Sequence, residues 1–190
     1  MQQTPNLAEK EELAQQRTAT TSSAVQITEN CLNSIRAILK KPGDINKLFF
    51  RLTKKLDKLY SITKAALIVH SDQDNKLKAI AMKGNNGTCE GLALTLPEDN
   101  SLLYKVFEDN YQYIQNYPDQ FSGNFFEEKI LIDRATQSLA VLPIIEKNSP
   151  KGLICFSSTI PNAFASFEDG ALNDILENFG QVLKDGLPSI

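Results

Sequence analysis

The chain has 190 residues, of which 42% are hydrophobic, and a formal net charge of −3, which suits one domain with a buried core plus an extension. It contains no run of about eighteen apolar residues and no basic segment followed by an apolar one near its start, so we expect neither a membrane span nor a secretory signal. Three widely spaced cysteines, Cys31, Cys89 and Cys155, do not form a disulfide framework, so we expect a cytoplasmic protein.

Residues 1–43 are interpreted as an N-terminal extension that is helical from about residue 23. Side chains suited to a helical seam recur there at spacings of three and four: Val25, Thr28, Leu32, Ile35 and Leu39. A helix with such a stripe must pack on the domain or on a second chain. We therefore expect it to be a dimerisation helix.

A second helix is predicted after the break at Pro42 and Gly43, with Asp44 as its N-cap. One face is apolar and the other carries five basic residues: Lys47, Arg51, Lys54, Lys55 and Lys58. Residues 36–64 hold nine Lys/Arg and two Asp, a local charge of +7, which leaves −10 for the rest of the chain. No aromatic residues interleave the cations as a base-stacking surface requires, so we expect a solvated face and no nucleic-acid binding.

The next segments predict a hairpin with strands at 65–69 and 77–82, followed by a flexible loop at 84–91. Asp99 or Asn100 is expected to cap a short helix, a strand is expected at 111–114, and Asn124 with Glu127 is typical of a capping box. A closing hairpin is predicted over 138–145 and 152–157. A final helix is expected to open at Ser166 and to end at Gly186, with apolar residues at helical spacing: Leu172, Ile175, Leu176, Phe179, Val182 and Leu183.

This order of elements resembles a GAF domain, over about residues 46–183. The resemblance is strongest in the closing hairpin, where Leu142-Pro143-Ile144 lies within the first strand and Gly152-Leu153-Ile154 opens the second. It implies an α/β (α+β) fold, with an antiparallel sheet, the N- and C-terminal helices on one face, and a roof of loops and short helices on the other. We assign the GAF-like domain to 44–185 and a short tail to 186–190.

The residues that carry chemistry are sparse. His70 is the one histidine, and no cluster of cysteine, histidine or carboxylate residues has metal-ligand spacing, so we expect no metal, no cofactor and no catalytic residues. The resemblance to GAF domains instead implies a non-catalytic sensory or regulatory module. It would bind a small molecule or a separate signalling protein and signal through its terminal helices.

Two alternatives to a sensor remain. GAF-type free methionine sulfoxide reductases use three cysteines around the pocket, and of the three cysteines here only Cys89 lies in a plausible pocket-edge loop. The other alternative is an assembly domain with no ligand. A covalently bound bilin is not expected because the sequence has no Cys-His dipeptide. The residue pattern of cyclic-nucleotide-binding GAF domains is matched only with its residue pairs in reversed order, so the resemblance does not imply cyclic-nucleotide binding.

The ligand pocket is expected over the sheet, because the middle segment concentrates aromatic residues that can form apolar walls. The predicted lining is Met82, Phe107, Tyr113, Phe121 and Phe126, with Ser138 or Cys89 near the rim. The alternative is that the aromatics only fill the space above the sheet. We also expect a homodimer, with an interface formed by Val25, Leu32, Ile35, Leu39, Ile175 and Phe179.

Overall fold

A computed structural model describes residues 44–116, 121–167 and 172–186, together with five residues of an earlier segment, Asn30, Asn33, Ser34, Arg36 and Ala37. These five have helical backbone, within the predicted helix at 23–39. Of the predicted interface, Val25, Leu32, Ile35 and Leu39 lie outside the described residues. The pairing of two chains therefore stays a prediction.

The described part of the chain forms one six-stranded antiparallel sheet and four helices, an α+β arrangement. The helices are α1 (Ile45–Tyr60), α2 (Leu102–Asp109), α3 (Phe125–Leu131) and α4 (Asn173–Gly186). The strands are β1 (Ile62–Ser71), β2 (Lys76–Gly84), β3 (Gly87–Thr95), β4 (Tyr113–Asn116), β5 (Ser138–Glu146) and β6 (Ser149–Ser158). Their order across the sheet is β3-β2-β1-β6-β5-β4, so β3 and β4 are its edges.

Helix α1 follows its sequence pattern closely. Asp44 caps it by accepting a hydrogen bond from Asn46 N at 2.9 Å, and Ser61 ends it in the left-handed conformation. The apolar face, which includes Leu48, Leu52 and Leu56, is buried, because this face packs on the sheet. The predicted cap and the predicted amphipathic helix are both confirmed.

One face of the sheet, called here the helix face, is covered by α1 and α4. Helix α4 comes very close to β5 at Gly180, where a Cβ atom would lie 2.4 Å from the carbonyl oxygen of Ile145. Ile175 and Phe179 are buried in this core. The apolar stripe of α4 therefore has a partner within its own chain, namely the sheet.

The opposite face, called here the roof face, is covered by α2 and α3. Leu103 and Val106 of α2 and Leu131 of α3 are fully buried against Ile68 and Val141 of the sheet. This arrangement confirms the predicted α/β (α+β) fold, with terminal helices on one face and short helices on the other. Among the described residues, no helix is long and apolar enough to cross a membrane.

The prediction of a flexible loop at 84–91 is wrong, because most of these residues belong to strand β3. Asn85 and Asn86 form a turn, and β3 then pairs with β2 from Gly87 to Thr95. Eight of its nine residues are exposed, so no alternation of apolar and polar residues marks it. Backbone hydrogen bonds to β2, rather than side-chain burial, hold this strand. The Asn86-Gly87 pair was its one local signal.

Several helix and strand boundaries in the structure also differ by a few residues from the predicted ones. Ser101, and neither Asp99 nor Asn100, caps α2, accepting a hydrogen bond from Tyr104 N at 2.9 Å. The strand predicted at 111–114 lies at Tyr113–Asn116, and the last helix begins at Asn173 after a 3-10 turn at Ala165–Phe167. The closing hairpin turns through only two residues, Lys147 and Asn148. Both have positive φ, the backbone that a tight hairpin needs.

Candidate functional site

The roof is held together by one buried carboxylate, that of Glu127 in α3. Its Oε2 accepts hydrogen bonds from Leu102 N at 2.9 Å and Asn124 N at 3.2 Å. Its Oε1 accepts from Leu103 N at 3.1 Å and from the hydroxyl of Ser101. The predicted capping box of α3 is confirmed, since Asn124 Oδ1 also accepts from Glu127 N. The same carboxylate caps the N-terminus of α2, so it joins the two helices of the roof.

The C-terminal end of α3 is anchored to the sheet. Lys64 of β1 donates from Nζ to the carbonyl oxygens of Lys129 at 2.7 Å and Ile132 at 2.6 Å. Ser157 of β6 donates from its hydroxyl to the carbonyl oxygen of Leu131. These carbonyls lie at the end of the helix, where they lack partners along the chain, so the sheet supplies the missing donors.

Lys64 and Asp133 give this end of the roof its electrostatic character. Burial lowers the pKa of Lys64; the charge of Asp133 opposes this effect and that of Lys129 adds to it. Burial by itself would raise the pKa of Asp133. Hydrogen bonds from Ala135 N at 2.9 Å and from Asn85 Nδ2 at 3.2 Å hold this pKa below its usual value.

Between this end of α3 and the β2–β3 hairpin lies an open groove of about 520 Å³, called here the hairpin groove. Met82 and Ile130 supply apolar surface, and polar groups surround them. The lining is Lys64, Met82, Lys83, Gly84, Asn85, Asn86, Gly87, Thr88, Cys89, Lys129, Ile130 and Asp133. Its volume falls in the range of roughly 300–1,000 Å³ that is typical of small-molecule sites.

A second open groove, of about 530 Å³, follows α2 and is called here the α2 groove. Its lining is more polar and includes three tyrosines: Asn75, Glu98, Asn100, Ser101, Leu102, Tyr104, Lys105, Glu108, Tyr111, Tyr113 and Ser122. Tyr104 is tied to the sheet because its hydroxyl oxygen accepts a hydrogen bond from Leu77 N at 2.8 Å. Burial raises the pKa of Tyr104.

The structure divides the predicted ligand-binding residues among several places. Met82 and Cys89 line the hairpin groove, and Tyr113 lines the α2 groove. The aromatic residues Phe107, Phe121 and Phe126 are half-buried and pack on the roof-face core. Ser138 is buried at the start of β5, where its hydroxyl donates to the carbonyl oxygen of Ile160 at 2.9 Å. Ser138 lies two residues before Ala140 in β5 and so shares its face, which is covered by the terminal helices; Met82 lies on the other side of the sheet.

Cys89 and Cys155 lie on one line across the sheet. Cys89 pairs with Met82, Met82 with Ala66, and Ala66 with Cys155. Three strand spacings of about 4.8 Å separate the two Cα atoms by about 14 Å. A disulfide requires less than about 7 Å, so these cysteines cannot be bridged without moving the sheet.

The two thiols also differ in environment. Cys89 is exposed, whereas Cys155 is buried. Burial raises the pKa of Cys155 well above its usual value, and the negative charge of Glu127 adds to the effect. Since the thiolate is the reactive form, Cys155 is an inert core residue and Cys89 is the accessible one.

His70, the one histidine, has ordinary structural contacts. Its ring stacks on Phe107 with 5.1 Å between centroids, and its Nε2 lies 3.0 Å from Asn75 Oδ1. Asp72 lies 3.4 Å from Nδ1. Neither cysteine shares these contacts, so no Cys-His pair forms within the described ranges. No group of three or more metal-ligating side chains occurs there either.

Sequence reasoning missed three residues that build the site. Glu127 was identified as a local cap, but its reach to α2 needs the tertiary structure. Lys64 and Ser157 carry no motif, and only the pairing of β1 with β6 places both beside the end of α3. The available signal was the two-residue strand period, by which Lys64 shares the face of Ala66 and Ser157 shares the face of Cys155.

Solved structures similar to this arrangement include GAF domains. The GAF domain of a two-component sensor histidine kinase from Bacillus halodurans matches with a TM-score of 0.58 and 16% identity, covering 76% of this chain and 99% of that chain. The GAF domain from an Acinetobacter phosphoenolpyruvate-protein phosphotransferase matches with a TM-score of 0.64 and 12% identity, covering 82% and 92%. The chain has a GAF-like fold.

GAF-like structures also include an enzyme. The free methionine-R-sulfoxide reductase from Neisseria meningitidis, solved in complex with its substrate, matches with a TM-score of 0.65 and 10% identity, covering 83% of this chain and 88% of that chain. No family model matches the sequence, and no curated protein matches it. At these identities the likeness shows the GAF-like fold alone, and function has to be argued from the site.

Proposed function

We propose that this chain is a non-catalytic sensory or regulatory GAF-like module that binds a small molecule in the hairpin groove. The observation that carries the proposal is the composition of that groove. Apolar surface from Met82 and Ile130 lies beside a few oriented polar groups, in a volume of about 520 Å³. Ligand sites typically combine an apolar wall with a small number of polar groups in this way.

The charges around the groove favour a ligand with an anionic group. Lys64 and Lys129 bring two ammonium groups and Asp133 brings one carboxylate. Lys83 does not add to the positive charge, because its ammonium group donates to Asp57 Oδ2 at 3.0 Å on the helix face. The side chain of Asn85 supplies a further polar contact, and the apolar part of the ligand would lie on Met82.

A ligand in this groove has a route to the rest of the roof. It would contact the C-terminal end of α3 at Lys129 and Ile130. The N-terminal end of the same helix carries Glu127, which also caps α2. A small displacement of α3 would therefore change the position of α2, so occupancy of the groove would be transmitted over the roof face.

We expect a bound ligand to raise thermal stability. At a concentration a hundredfold above Kd, the gain is about 2.7 kcal/mol in the free energy of unfolding. A thermal-shift screen with cyclic nucleotides, amino acids, 2-oxo acids and tetrapyrroles measures it.

The matched controls lie toward the two ends of β3. Cys89→Trp, whose side chain shares the face of Met82, fills the hairpin groove and should abolish the shift, whereas Thr95→Trp places the same side chain outside the groove and should preserve it. If no compound shifts the wild type, or if both variants respond alike, the hairpin groove is not the sensor site and an assembly role is the better interpretation.

A sulfoxide reductase is the second candidate, because Cys89 is exposed in the groove and the similar solved structures include a reductase. A cysteine that reduces a sulfoxide is oxidised to the sulfenic acid, and a second thiol must then form a disulfide with it. Cys155 lies too far away and is buried, and Cys31 lies outside the described residues.

We expect no turnover of free methionine sulfoxide when the protein is supplied with a thiol reductant. Mass spectrometry of the product, with Cys89→Ser as the reference, checks this expectation. Turnover by the wild type that is lost in Cys89→Ser would establish the enzyme in place of the sensor.

A further inference from the structure

Helix α1 carries a straight row of positive charge on its outer side, called here the basic row: Lys47, Arg51, Lys54 and Lys58. The spacings of four, three and four residues place these side chains on the same side of the helix. All four are exposed, on the side opposite the buried Leu48, Leu52 and Leu56. At 1.5 Å per residue, the row extends over about 16 Å.

The basic row has no acidic partner within the described residues. None of its four side chains takes part in a hydrogen bond or an ion pair there. Asp57, the one acidic residue of α1, is already paired with Lys83 at 3.0 Å. The positive charge of the row is therefore uncompensated by neighbouring side chains.

Such a row works against the stability of its own helix. Like charges three or four residues apart destabilise a helix by a few tenths of a kcal/mol for each pair. Lys47 and Arg51 form one such pair, and Lys54 and Lys58 form another. A row built only for solubility would more naturally alternate the two signs, as exposed helix faces commonly do.

We propose that the basic row is a docking surface for the acidic face of a helical segment in a partner protein. Carboxylates at the same three- and four-residue spacing on the partner would match the four cations in register. The row lies on the helix face of the domain, whereas the hairpin groove lies on the roof face. This docking role rests on the proposed regulatory function, in which a separate protein receives the signal.

A short acidic segment fits this surface better than an extended polyanion does. Residues outside 36–64 carry a net charge of −10, and a duplex or a bilayer is large enough to extend beyond the row and to be repelled by them. A short acidic helix interacts mainly with the basic row, because its interactions with charges farther away than a Debye length of about 8 Å are screened at physiological salt. The exposed large apolar residues of the described chain, Leu94, Tyr111, Phe125 and Ile160, are not on α1, so this face has no anchor for a lipid interior.

The test uses a synthetic acidic helix with glutamates every three or four residues along one face, and measures its binding to the full chain by fluorescence anisotropy. We expect Arg51→Glu with Lys54→Glu to weaken binding by about tenfold or more, because the reversed charges repel the peptide. The matched control is Lys105→Glu with Arg134→Glu, which changes the net charge equally at exposed sites away from α1 and should bind like the wild type. Circular dichroism confirms that both variants fold.

Three results would overturn the proposal. One is equal weakening in both variants, which would mark a general charge effect. Another is equal binding of a peptide with the same composition but with its glutamates spread around the helix. The third is tighter binding of duplex DNA or of phosphatidylserine vesicles than of the acidic helix. The thermal-shift screen tests the hairpin groove separately, so the two proposals can fail independently.

Discussion

Glu127→Ala will lower the free energy of unfolding by about 3–5 kcal/mol. The carboxylate is fully buried and accepts from four donors in two helices, namely Ser101 Oγ and the backbone N–H groups of Leu102, Leu103 and Asn124. Alanine leaves these donors without a partner, and each unsatisfied buried group costs about 1–3 kcal/mol, although water that enters the space recovers part of the loss. Urea unfolding followed by circular dichroism measures the effect.

Glu128→Ala is the control, because Glu128 is the exposed neighbour on the same helix and should change stability by less than about 0.5 kcal/mol. Glu127→Gln should fall between the two, since the amide keeps one acceptor oxygen but turns an N–H₂ group toward backbone donors. A loss below about 1 kcal/mol for Glu127→Ala would show that α2 does not depend on this carboxylate.

Gly180→Ala will destabilise the protein by about 1–3 kcal/mol, even though alanine is the better helix former by about 1 kcal/mol. The added Cβ would lie 2.4 Å from the carbonyl oxygen of Ile145, which is a backbone atom and cannot rotate away. Helix α4 must then move off β5, which loosens the burial of Phe179. The temperature of unfolding, measured by calorimetry, should fall accordingly.

Gly84→Ala supplies the matched control. Its added Cβ has open space, and its backbone does not have a positive φ. Alanine there should be neutral or stabilising by up to about 1 kcal/mol, because it restricts the unfolded chain. Equal stability of Gly180→Ala and the wild type would mean that α4 tolerates a wider separation from β5.

The two proposed binding surfaces, the hairpin groove and the basic row, lie on opposite faces of the same sheet. The hairpin groove is formed by β2, β3 and the end of α3, whereas the basic row belongs to α1. The sheet is packed on both faces, with Ala66 and Ile68 in the roof-face core and Leu67 and Val69 in the helix-face core. A displacement of the roof therefore reaches α1 only through this close-packed layer.

The sequence by itself determined the elements whose signals are local. Helix α1, the capping box of Asn124 and Glu127, and the closing hairpin of β5 and β6 all follow from periodicity, capping and turn residues within a few positions of one another. Their order was sufficient to indicate the fold, because an antiparallel sheet with helices at both ends of the chain has to be covered on both faces. The resemblance to GAF domains pointed to the same arrangement.

Only the tertiary structure decided the features that depend on contacts between distant residues. Strand β3 is specified by backbone pairing with β2, which leaves no side-chain pattern, and the second role of Glu127 depends on a helix 24–26 residues away in sequence. The separation of Cys89 from Cys155 follows from strand order, which spacing along the chain does not encode. The grooves arise for the same reason, because their walls come from segments that meet only after the sheet has formed. The predicted pocket residues therefore divide among two grooves, the roof-face core and the far face of the sheet.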